Sequence, residues 1–272
     1  MELPRYVLDP DDPRAPPQDV WDAMSELERR RVVASLPSEI PRATPPEGDA
    51  HSSPKARARE ALDEWFRRRG RSVYLGSELA VYYPDEPVFG PDLIAILDVD
   101  PHPRESWLVS QEQRGLDFVL EIHVHGDRKK DFELQVERLA RLGVPEYFVY
   151  EPLRRRITGH RLPSPGARVF VPIVPQVGRW PSRVLDLDLA LDGSGLRFFA
   201  GPAPLPDARE LIDRLSTMVD GAVQRAEEES KRAEEESKRA EEESKRAEEE
   251  SKRAELLAAK LRALGIDPDS LE

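Results

Sequence analysis

The sequence predicts a mixed α/β domain followed by one long charged helix. Between residues 53 and 200, six short β-branched or aromatic segments bounded by Gly, Pro or Asp are interleaved with two capped amphipathic helices. From Glu227 the heptad Glu-Glu-Glu-Ser-Lys-Arg-Ala repeats four times without a proline. The chain has 272 residues, 39% of them hydrophobic, and no cysteine. That is enough apolar mass for one sizeable core, and it excludes disulfide scaffolds, thiolate metal sites and cysteine nucleophiles.

Residues 1–52 hold many of the 26 prolines and read as an irregular arm with one helical stretch, Gln18 to Leu36. The α/β domain, residues 53–200, opens on Ser53-Pro54, an N-cap followed by proline at the first helical position, and Gly70 stops that helix. Strands are expected over Ser72 to Tyr83, Leu93 to Val99, Asp117 to Val124, Glu146 to Tyr150, Ile157 to Leu162 and Val169 to Val174. A second helix, Arg128 to Leu142, lies between the third and fourth strands, capped by Asp127 and terminated by Gly143. Residues 207–265 form the long helix, with Asp207 and Glu210 at capping-box spacing, and residues 266–272 are a tail. Glu227 with Lys231 and Glu228 with Arg232 are favourable i,i+4 pairs repeated in every heptad. The Ala/Ser seam of the repeat is thin, so this helix is either a solvated spacer or a coiled coil joining copies of the chain through its apolar flanks.

The net charge of −12 is spread unevenly, and no long stretch is basic. Wrapping of nucleic acid by bulk electrostatics is therefore excluded, and any DNA contact must come from local clusters. No run of apolar residues is long enough to span a membrane and residues 1–12 lack a signal-peptide pattern, so a cytoplasmic protein without a membrane partner is expected.

Chemistry concentrates at Pro91-Asp92 and Glu121-Ile122-His123. Asp92 stands at the start of one strand. In the next strand, alternation sends Phe118, Leu120, Ile122 and Val124 to one face and Val119, Glu121 and His123 to the other. A carboxylate in an apolar strand is costly unless it is paired or binds a cation. Two carboxylates from neighbouring strands plus a backbone carbonyl suit a Mg²⁺ site that leaves room for water and phosphate.

These residues, with Asp131 and the run Leu142-Gly143-Val144-Pro145-Glu146-Tyr147-Phe148-Val149-Tyr150-Glu151-Pro152, resemble the Uma-type restriction endonucleases, a branch of the PD-(D/E)XK nuclease superfamily. The resemblance covers residues 36–200, including Pro45, Pro46 and His51. It implies a restriction-endonuclease-like fold, a four-stranded mixed central sheet flanked by helices. It also implies Mg²⁺- or Mn²⁺-dependent hydrolysis of DNA phosphodiesters, with Asp92, Glu121 and the Ile122 carbonyl as metal ligands. The superfamily lysine belongs two residues after Glu121, where His123 stands, or four after Asp131, where Gln135 stands; the family tyrosine four further on is Leu139. Glutamine orients a water but cannot take its proton, so Lys130 and His123 are the candidate substitutes. His51 and Glu39 match family positions near the pocket. The DNA backbone would be met by Arg67, Arg68, Arg69 and Arg71 and by Arg154, Arg155 and Arg156. The vacant lysine positions leave a second reading, a catalytically impaired nuclease fold that binds DNA or protein and scaffolds through its long helix.

Overall fold

The computed structural model describes residues 6–40 and 48–263. The chain divides into two units, residues 1–208 and 209–272. In the first, the stretch expected as one N-terminal helix is two, α1 (Gln18–Ala23) and α2 (Glu26–Ser35). Ser25 breaks it by forming a capping box: its N–H donates to Glu28 Oε2 at 2.8 Å while its hydroxyl accepts from the Glu28 N–H. This segment is packed rather than free, because Ala15, Trp21, Val32 and Leu36 share a core cluster with Ala80, Tyr82 and Leu108.

Helix α3 (Asp49–Arg69) begins four residues before the expected Ser53 cap. The Gly48 carbonyl accepts from the N–H groups of His51 and Ser52, and Pro54 sits inside the helix at the cost of one i→i−4 bond. His51 is thereby helical, one turn before Lys55. Ala58, Leu62 and Phe66 make the buried stripe, and Gly70 ends the helix at φ 62°, a left-handed conformation that favours glycine.

The first expected strand is split by a turn into β1 (Val73–Gly76) and β2 (Ala80–Tyr82). After them come β3 (Leu93–Leu97), β4 (Ser106–Leu108), the single turn α4 (Val109–Glu112) and β5 (Phe118–Ile122). Lys129 N–H donates to Asp127 Oδ1 at 2.8 Å, so Asp127 caps the next helix. A π-helical turn, Lys130–Leu134, leads that helix into α5 (Gln135–Leu142), which Gly143 terminates at φ 81°. Then follow β6 (Glu146–Glu151), β7 (Arg156–Arg161) and β8 (Val171–Pro172).

The central sheet has the order β1-β3-β5-β6-β7-β8, six strands where the resemblance implies four. Only β5 and β6 pair in parallel, joined by the crossover helix, so the sheet is mixed. Alternation along β5 is as expected. Phe118, Leu120 and Ile122 join the cluster containing Leu62 and Phe66 of α3, whereas Val119 joins Leu139 of α5 and Tyr147. A second, antiparallel sheet, β9 (Arg179–Ser182), β10 (Leu187–Asp192), β11 (Gly195–Ala200) and β12 (Ala203–Pro204), has no counterpart in the sequence reading. It closes the α3 side of the core with Leu187, Leu189 and Phe198. β2 and β4 form a small parallel pair.

The second unit is α6 (Ala208–Ala263), a continuous helix as the heptads predict, about 84 Å long at 1.5 Å per residue. Its heptad region is exposed throughout, and Ile212, Leu215, Val219 and Leu256 are more than half exposed. Among the described residues no helix is long and apolar enough to cross a membrane. The expected tail, Pro45 and Pro46 lie outside the described residues.

Candidate active site

Strand directions gather the chemistry at one end of the central sheet. β5 and β6 run toward it, ending in Ile122 and Glu151, while β3 starts there just after Asp92. Gly90, in the turn before Asp92, packs closely against the N-terminal segment: a Cβ there would lie 2.7 Å from Ile40 Cδ1, which would have to shift. Asp92 and Glu121 are both buried and both at this end. Ile122 N–H donates to Asp92 Oδ2 at 2.6 Å, and the Asp92 N–H reaches Glu121 Oε2 at 3.4 Å. From α3, His51 Nε2 lies 3.1 Å from Asp92 Oδ2.

The two carboxyls respond to this crowding in opposite directions. Burial pushes Glu121 well above the usual carboxylate range, and the charge and hydrogen bond of Asp92 push it further. Burial also acts on Asp92, but the hydrogen bond and charge of His51 and the Ile122 N–H hold it below its ordinary value. Crowded in this way, the pair disfavours carrying two negative charges at once. Two buried carboxyls whose joint ionisation is disfavoured are a donor set that a divalent cation fits, since its charge offsets theirs.

Two further residues join them. Glu78, in the turn between β1 and β2, and Lys55 of α3 form an ion pair in which Lys55 is buried. Ligand atoms of His51, Glu78 and Asp92 all lie within 4.8 Å of one another. Starting the helix at Ser53 hid the i,i+4 spacing of Lys55 from His51, and Glu78 carried no signal.

His123 follows β5 on the face of Glu121, and its Nδ1 lies 2.7 Å from Asp131 Oδ2. Asp131 belongs to the π-helical turn, and its carbonyl accepts from the Tyr147 hydroxyl at 2.9 Å. Gln135 is buried, on the sheet side as its spacing predicts. Lys130 is exposed at the start of the same turn, near enough for its charge to act on Glu121. Glu39 is exposed after α2, with no hydrogen bond to the site among the described residues; its neighbour Ile40 meets Gly90.

The two arginine clusters lie at opposite ends of the sheet. Arg154 pairs with Glu151 at 3.1 Å, beside Arg128, at the site end, and Arg156 opens β7 there. Arg155 bonds the Asp192 carbonyl. Arg67, Arg68, Arg69 and Arg71 are at the far end of α3, about 27 Å from His51 at 1.5 Å per residue. Arg67 and Arg68 pair with Glu64, Arg69 pairs with Asp186 and covers Trp65, and Arg71 grips Asp98 through two bonds of 2.9 Å. The residues cap an apolar helix end and close the opposite edge of the sheet.

The fold and site define a mixed α/β domain with a buried acidic centre. A family model described as "Putative restriction endonuclease" (Uma2) matches residues 21–193, more than half of the chain, and the chain belongs to that family. The nuclease resemblance read from the sequence holds at this level. The crystal structure of "a putative nuclease belonging to DUF820" from Anabaena variabilis is similar to this chain at 13% identity, with a TM-score of 0.37, covering 45% of this chain and 68% of that one. Among curated proteins none matches.

Proposed function

We propose that the domain is a Mg²⁺- or Mn²⁺-dependent endonuclease that hydrolyses DNA phosphodiesters. The observation that carries this reading is the meeting of Asp92 and Glu121 at the rim of the sheet, where both are buried and the Asp92 N–H lies 3.4 Å from Glu121 Oε2. Asp92, Glu121 and the Ile122 carbonyl would hold the cation, with His51 beside Asp92. When bound, such a cation supplies Lewis-acid polarisation of a phosphoryl oxygen and a more acidic water. Asp131 accepts from the His123 Nδ1–H and so fixes the tautomer that leaves Nε2 free to accept a proton, which favours His123 over the exposed Lys130 as general base. Gln135, buried and unable to ionise, orients the water by hydrogen bonding. Arg154 and Arg156, at the site end, would meet the flanking phosphates.

The test is incubation of the purified protein with supercoiled and linear DNA and Mg²⁺ or Mn²⁺, beside Asp92→Asn and Glu121→Gln. Metal-dependent cleavage by the wild type, lost in both variants, supports the enzyme. DNA binding without cleavage under every condition supports the binding module that the vacant lysine positions allow.

The apolar flanks of α6 favour a second copy of the chain as its partner, with the Ala/Ser heptads as spacer. Two copies would carry two sites, one for each strand of a duplex. Sedimentation of Val219→Glu/Val223→Glu against wild type checks this: a fall to monomer mass supports the pairing, and a wild type already monomeric removes it.

A further inference from the structure

Arginine satisfies a carboxylate best with its fork, two parallel N–H groups set on the two oxygens. The fold uses that geometry away from the site. Arg104 donates to both carboxylate oxygens of Glu112, at 2.7 and 3.0 Å, and Arg71 holds both oxygens of Asp98 at 2.9 Å. Glu151, at the end of β6, is treated otherwise. It is 1% exposed, and Arg128 and Arg154 both bond its Oε1, while its Oε2 is buried without a hydrogen-bond partner among the described residues. Two guanidiniums on one oxygen are not arranged to satisfy the acid. They leave a positive charge in excess at the end of the sheet that holds Asp92 and Glu121.

Of the two, Arg128 is the one fixed against the site. It follows the Asp127 cap, and its Cζ lies 4.2 Å from the centre of the Phe132 ring. The same ring meets the His123 imidazole edge-on at 5.6 Å. His123 runs beside Glu151 beyond the Ile122–Tyr150 pair, its N–H donating to the Tyr150 carbonyl at 2.8 Å. Arg128 therefore stands one aromatic ring from His123, with its direction set by Glu151 and Phe132. Its side chain is 37% exposed, and the Nη1 bond to Glu151 uses one of the five N–H donors of a guanidinium. None of its other donors is buried. Arg154 is 60% exposed and stacks on no ring among the described residues.

We propose that Arg128 is a substrate-binding residue, gripping both non-bridging oxygens of the DNA phosphate next to the scissile one through the Nε and Nη2 edge that Glu151 leaves open. Glu151 is its positioning residue. This rests on the nuclease reading and adds to it the contact that sets which phosphate lies over the acids. Asp92, Glu121 and Asp131 repel a polyanion, and a guanidinium one ring away from them offsets that repulsion where it is greatest. Stacking on Phe132 and the bond to Glu151 restrict the side chain before DNA arrives, so little freedom is lost on binding.

The test uses the full chain, with DNA affinity read across a salt series in Ca²⁺ and single-turnover cleavage read in Mg²⁺ or Mn²⁺. Arg128→Met is expected to weaken binding about five- to tenfold and to lower the slope of log affinity against log salt by about 0.9, the share of one phosphate. Duplexes carrying single neutral methylphosphonates locate the contact relative to the cut. In wild type, cleavage at the bond on one side of the neutral phosphate falls about five- to tenfold; in Arg128→Met it changes by less than about twofold. An arginine that only neutralised Glu151 would alter the melting temperature and leave that local loss in place. Should Arg128→Met fail to fold, Glu151→Gln and Glu151→Gln/Arg128→Met, in which no carboxylate is stranded, are expected to differ by the same slope and at the same phosphate. An unchanged slope, or equal methylphosphonate losses in both proteins, overturns the proposal. If wild type cleaves and Asp92→Asn does not, such a result removes only the role of Arg128; a wild type that never cleaves overturns both readings.

Discussion

The two ends of the central sheet handle buried acid differently. At the far end Glu146, buried at the start of β6, accepts from the Ser182 hydroxyl at 2.5 Å and the Arg183 N–H at 2.9 Å, with Arg161 at 3.5 Å. Nearby, Asp117 accepts from the Leu97 N–H at 2.8 Å and meets Arg114, and Asp98 is held by Arg71. Each carboxylate there has donors of its own. At the site end Glu121 has the Asp92 N–H at 3.4 Å and another carboxyl as its neighbours. Glu151 marks the limit of that crowding: burial pushes it up, yet Arg128 and Arg154 bring it below the usual range. A fold that gives Glu146 three donors and sets two arginines beside Glu151 has the means to satisfy Glu121. That it crowds Glu121 against Asp92 instead is the contrast on which the proposed cation site rests.

The sharpest way to break this comparison is to remove the acids in turn. Asp92→Asn is expected to lower metal-dependent cleavage by at least about 10³-fold while leaving the far end intact, as read by nicking rate and circular dichroism. Glu146→Ala, by contrast, strands Arg161 and the Arg183 N–H inside the protein and should destabilise the fold by about 3 kcal/mol in urea titration.

Glu121→Gln sharpens the contrast because its expected sign is opposite. Glu121 titrates above its unfolded value, so the stability linked to its proton is complete below the ordinary carboxylate range and is lost as pH rises through the raised value. The cation-free wild type should therefore melt lower at pH 8 than at pH 6. Glu121→Gln should flatten that dependence, melt about 2 to 6 °C higher at pH 8, and gain little on adding Mn²⁺. A wild type that Mn²⁺ does not stabilise would remove the cation from the account.

The smallest effects separate the arginine clusters. Arg154→Ala/Arg156→Ala is expected to weaken DNA binding several-fold and to reduce its salt dependence. Arg69→Ala/Arg71→Ala should leave DNA affinity within about twofold and cost less than about 1 kcal/mol of stability, since those pairs are largely solvated. A reversal of these two results would move the DNA to the opposite face.

Much of this end of the sheet was legible beforehand. Alternation along Phe118 to Ile122 fixed which face Glu121 takes, Asp127 and Gly143 marked the ends of the crossover helix, and Gln135 fell on the buried side. The ordered motif from Pro91-Asp92 to Glu151-Pro152 was enough to indicate the family. The misplacements were local too. Ser25 breaks a helix that periodicity alone would continue, and the Gly48 carbonyl starts α3 ahead of a proline that resembled its first residue.

What the sequence determined by itself were features set within a strand or a helical turn, such as caps, alternation and the salt-bridged heptads of α6, because those energies depend on residues a few positions apart. The tertiary structure alone decided that His51 touches Asp92 across 41 positions, that Lys55 finds Glu78, and that two similar arginine runs lie at opposite edges of one sheet. Strand order and direction fix those meetings, and no short window of sequence contains them.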